Sequence, residues 1–167
     1  RAGAADLRIT QFDATAGDLP VRLVEPGLVR YRGGRLTIET LEATAGETHL
    51  SASGAIAAFA PATGGPADGA TADGIIATMT GEVGEVARAI AATGITDVPV
   101  MGGSGPVALL ARIAGSLEAP LVSADVEVGP GAITLTDLPT ISDLRLRTHV
   151  ADGWVDLREA HGVYQGA

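Results

Sequence analysis

Residues 107–128 read VALLARIAGSLEAPLVSADVEV, two alternating runs joined by a short bend containing Gly115 and Pro120. In the first run Val107, Leu109, Ala111 and Ile113 take every second position; in the second, Val122, Ala124, Val126 and Val128 do. A period of two places such residues on one face of an extended chain. Arg112, Asp125 and Glu127 stand between them and mark the other face as the wet one. The stretch therefore predicts two antiparallel strands, each apolar on one side only.

The same alternation spreads outward. Leu7 with Ile9, Val21 with Leu23, and Leu36 with Ile38 repeat it upstream; Ile133 with Leu135, Leu144 with Leu146, and Val155 with Leu157 repeat it downstream. Between the runs lie Gly33-Gly34, Gly129-Pro130-Gly131, Asp137-Leu138-Pro139 and Asp152-Gly153, read as turns between consecutive strands. Residues 82–93 alone have helical spacing, with Val83, Val86, Ala87 and Ile90 on one stripe, acids in the first turn and Gly94 beyond the end. Residues 61–73 are Ala, Gly, Pro, Thr and Asp without periodicity, the composition of a flexible loop. The expected organisation is a first β segment over 1–60, that loop, and a second β segment over 74–167 carrying the helix. Arg1 rather than Met at the start, and a strand pattern running into the last residues, lead us to expect one continuous repetitive piece of a longer chain.

Composition narrows the function classes. Aromatic residues make up 3% of the chain, so burial must come from Val, Ile, Leu and Ala, while 23 glycines imply many tight turns or close backbone approaches. The net charge of −9 disfavours nucleic acid, whose phosphates require clustered cations, and adsorption to anionic headgroups. With no Cys, thiolate chemistry and Cys-bound zinc are excluded. No apolar run is long enough to span a bilayer as a helix.

Candidate chemistry is sparse. His49, His149 and His161 lack a partner at metal-ligand spacing and read as polar strand or turn residues. Asp68 to Asp73 lacks the alternating oxygen ligands and closing Glu of a calcium loop. Residues 102–106, GGSGP, fail as a phosphate loop because the chain has no Lys, and fail as a nucleophile elbow because Pro106 stands where that motif needs Gly. They read as a flexible lead-in to the strand at Val107. Asp125 and Glu127 share the wet face of one strand, as do Arg145 and Arg147 of another. We expect no enzyme, no cofactor and no metal.

The arrangement resembles the AsmA-like superfamily, and TamB-type members in particular. Residues 28–54, LVRYRGGRLTIETLEATAGETHLSASG, pair a Gly-Gly turn with two strands and end in SASG. Residues 82–120 supply a single short helix followed by GPVALLARIAGSLEAP, and residues 121–157 the subsequent meander. The resemblance implies an antiparallel sheet curved into an open, taco-like groove with an apolar concave face. It implies a segment of an inner-membrane-anchored, periplasm-spanning protein of a diderm bacterium that conducts phospholipids between the inner and outer membranes, with an outer-membrane barrel of the Omp85 class as partner. The residues then expected to line the groove against acyl chains are Leu7, Ile9, Leu36, Ile38, Val107, Leu109, Ile113, Val126, Ile133, Leu135, Leu144, Leu146, Val155 and Leu157. The alternative is a purely structural β-sandwich or β-solenoid module of a secreted adhesin or scaffold. Scarce aromatics lean towards the groove, because large rings would plug a channel.

Overall fold

A computed structural model describes residues 3–16, 19–59, 74–92, 100–135 and 139–164. The expected loop at 61–73 lies outside the described residues. In chain order the elements are β1 (Ala4–Ile9), β2 (Asp13–Ala16), β3 (Leu19–Leu23), β4 (Gly27–Arg32), β5 (Arg35–Ala45), β6 (Thr48–Ala57), β7 (Ile75–Glu82), α1 (Val83–Ala92), β8 (Val100–Ser104), β9 (Pro106–Gly115), β10 (Pro120–Leu135), β11 (Ile141–Ala151) and β12 (Trp154–Tyr164). The strands join into one large antiparallel sheet of 12, neither closed nor strongly curled, accompanied by one short helix. Its main path runs β1-β4-β5-β6-β7-β9-β10-β11-β12. Because β6 pairs β7, the chain before and after residues 60–73 belongs to the same sheet.

Two strands are long enough to carry two partners along one edge. The start of β5 pairs β4, and its end pairs β3. The first part of β10, from Pro120 to Val128, pairs β9, and its second part, from Ala132 to Leu135, pairs β8. Here two sequence expectations are corrected. Gly129-Pro130-Gly131 does not reverse the chain; it bends β10 within a 16-residue strand. Residues 102–106 are not a slack lead-in; Gly102 to Ser104 are ladder partners of β10, and only Gly105 is a bend. Both have one physical cause. Where β10 changes neighbour, the backbone at Ser104 and Gly105 presses against Pro130 and Gly131: a Cβ on Gly131 would lie 2.1 Å from the Ser104 carbonyl oxygen, and one on Gly105 2.6 Å from Gly131 Cα. These glycines serve close approach rather than reversal. Gly33-Gly34 and Asp152-Gly153, by contrast, are hairpin turns as expected.

The helix follows β7 with no intervening turn, since Glu82 ends the strand and Val83 begins α1. Val83 and Val86 pack on Val107, with Met79, Val126 and Val128 partly buried around them. Away from the helix, Ile56, Ala58, Ile75 and Ser116 are buried where Leu117 N–H donates to the Ala57 carbonyl. Between these two spots the apolar side of the sheet is only half covered. A single sheet needs a layer over its apolar face, and one ten-residue helix does not supply it.

Candidate functional site

Directly opposed residues of an antiparallel pair project to the same side, so register traces a face across the whole sheet. Leu109 opposes Met79 on β7 and Val126 on β10. Met79 opposes Leu50, and Leu50 opposes Ala43. Ile38 opposes Gly54 and Val29, and Val29 opposes Leu7 on the edge strand β1. In the other direction Val126 opposes Thr148, which opposes Leu157, while Ala124, Val150 and Val155 form the next row. Each bulge along this route inserts one extra residue on one strand, so alternation resumes on the same side.

The outcome is a single apolar face from β1 to β12. Leu7, Ile9, Leu36, Ile38, Val107, Leu109, Ile113, Val126, Ile133, Leu144, Leu146, Val155 and Leu157 all fall on it by register. Leu135 is paired through its backbone to Val100, and its side chain lies outside the described residues. Among the described ladder positions no Asp, Glu, Arg or His falls on this face; Thr48 and Thr148 are among its few hydroxyls. With neighbouring strands about 4.8 Å apart, it runs to roughly 40 Å across. Its middle is half-buried, while Leu7 at one edge and Leu157 at the other are 60% and 58% exposed.

The opposite side carries the charge. Arg30 pairs with Glu39, Arg32 with Asp6, and Arg147 with both Glu127 and Glu159. Asp125 Oδ1 sits 2.8 Å from His149 Nδ1 and 3.4 Å from Arg158, and Asp143 lies 3.3 Å from His161. Two shallow concavities of about 420 and 600 Å³ open here, walled by Thr80, Glu127, Arg147 and Glu159. Relief on this sheet therefore comes from tall, mutually paired charged side chains. The pairs are solvent-exposed and individually weak. Arg147→Ala, which loses both its carboxylate partners, is expected to cost less than about 1 kcal/mol, read as a urea-midpoint shift that shrinks further at high salt.

Sequence reasoning left His149 without a partner. The structure supplies one because Asp125 and His149 face each other across β10 and β11. Nothing in the spacing of 24 residues announces that pair; only the strand register does. Among the described residues no cluster of three His, Cys, Asp or Glu side chains is placed to hold a metal ion. Among the described residues no helix is long and apolar enough to cross a membrane. No family model matches this chain, and the searches of curated proteins and of solved structures likewise return no match.

Proposed function

We propose that this chain is one stretch of a lipid-conducting surface, on which phospholipid acyl chains lie along the apolar face while the charged face meets water. The observation that supports this reading is the separation of the two sides: among the described ladder positions charge is absent from one face and concentrated on the other. Burial of each methylene group is worth about 0.8 kcal/mol. An acyl chain laid across rows of Val, Leu and Ile would thus be held without any directional contact. Together with the resemblance to TamB-type proteins, this suggests a segment of an inner-membrane-anchored, periplasm-spanning conduit in which a taco-like groove forms as the sheet curves around its cargo. An outer-membrane barrel of the Omp85 class is the partner proposed on that resemblance.

One observation favours the structural alternative. The sheet is not strongly curled, and a flat apolar face can be covered by a second sheet at about 10 Å, as in a β-sandwich. Leu109→Asp separates the two readings. Leu109 is half-buried beside Met79 and Val126. On an open face the carboxylate reaches water, the domain stays folded, and photo-crosslinking to a phospholipid bearing an acyl-chain diazirine falls sharply. Under a covering sheet the same charge is buried without a partner and the protein unfolds. A wild-type chain that shows no crosslinking at all overturns the conduit.

A further inference from the structure

We propose that the outer edge of β12 pairs antiparallel with β12 of a second copy of this chain, joining the two sheets across a two-fold axis. The inference goes beyond the conduit reading and does not depend on it. β12 is 11 residues long, pairs only with β11 among the described strands, and is exposed along its whole length. An edge strand presents a row of unpaired N–H and C=O groups, which proteins ordinarily protect with Lys, Pro or a very short strand. β12 has none of these, and Trp154, Val155, Leu157, Val163 and Tyr164 all stand exposed on it. β1, at the other end of the sheet, is only six residues long.

The occupant follows from the sequence of β12, which is complementary to itself when reversed. Pairing with β11 puts Val155, Leu157 and Ala160 on the apolar side, and Trp154, Asp156, Glu159 and His161 on the charged side. Arg158 is the extra residue of a bulge; its guanidinium lies 3.4 Å from Asp125 and 3.5 Å from Asp156, so it too belongs to the charged side. Setting Arg158 of one copy opposite Glu159 of the other fixes every remaining pair. Asp156 then meets His161, Leu157 meets Ala160, Val155 meets Gly162, and Trp154 meets Val163. Each pair joins residues of one side, for Gly162 faces Ile141 and Leu144 while Val163 opposes Ser142. Opposite charges meet at the centre, and the two-fold axis makes each pair occur twice. The bulge would spoil pairing with a regular strand, but here it meets an identical bulge. With the axis perpendicular to the sheet, the apolar side of one copy continues into that of the other.

Sedimentation velocity over a concentration series of the 167-residue chain tests the pairing. Wild type should pass from monomer to dimer and grow no further. Arg158→Glu and Glu159→Arg each set like charges opposite one another at both symmetry-related positions, and each should raise the dimer dissociation constant at least about tenfold. The double variant Arg158→Glu/Glu159→Arg restores the opposition and should return the constant to within about threefold of wild type. Should one single variant fail to fold, the other single variant and the double variant decide. A wild type that stays monomeric at every concentration overturns the proposal. So do single and double variants that dimerise alike, and so does growth beyond the dimer, which would seat the β1 edge of another copy on β12.

Discussion

Val107→Asp is expected to lower stability by about 3–5 kcal/mol, the cost of leaving a charge buried without a partner. Val107 is 6% exposed, lies under Val83 and Val86, and opposes Gly81 and Val128 on the neighbouring strands. No described ladder position of that face offers a cation, so the new carboxylate must either ionise unpaired or take up a proton, and both options oppose folding. Against a total stability of about 5–15 kcal/mol for an ordinary domain, the loss is a large share. Thermal unfolding should drop by roughly 6–20 °C, at about 2–4 °C per kcal/mol for a chain of this size. The control is Val122→Asp on the same face and the same pair of strands, at a site 53% exposed, where the cost should stay below about 1 kcal/mol. Equal melting of the two variants would show that α1 does not cover Val107 in solution.

Gly54→Val should be at least as damaging, through the backbone. Gly54 sits in β6 between Ile38 of β5 and Ile75 of β7, at φ +121°, a conformation that β-branched residues do not adopt. A Cβ there would stand 2.1 Å from the Gly74 carbonyl oxygen, which itself accepts from the Ala55 N–H. The clash is with main chain, so no rotamer relieves it, and β6 must part from β7 at the seam joining the chain before and after residues 60–73. A loss of about 3 kcal/mol or more is expected in urea melts, with amide exchange accelerated first along β7. Gly33→Ala is the contrast: its φ is also positive, at +60°, but nothing lies within 4 Å of the added Cβ. It should cost only about 1–2 kcal/mol, the ordinary penalty of a left-handed residue.

Much of the fold was legible because strand alternation is a local property. Whether Leu109 shares a side with Val107 depends only on the intervening residue, and the period-two runs therefore announced the two-faced strands, as helical spacing announced α1 over 82–93 against Val83–Ala92 in the structure. Hairpins at Gly33-Gly34 and Asp152-Gly153 were readable for the same reason. The glycines of residues 102–106 and 129–131 misled because glycine permits a turn and a close approach alike, and only the neighbouring strand reveals which is used.

The amino-acid order by itself determined that each strand has a dry side and a wet side, and that thiols and lysines take no part. Tertiary structure decided which dry residues are buried. Val107 and Val155 read alike in sequence, yet the first is 6% exposed beneath a helix and the second 68% exposed on the edge strand β12. It also decided that β8 is a strand, through its pairing with the end of β10, and that His149 meets Asp125. The physical reason is common to all three: alternation is set by adjacent residues, whereas register, edge position and the landing place of α1 are set by contacts between segments far apart in the chain.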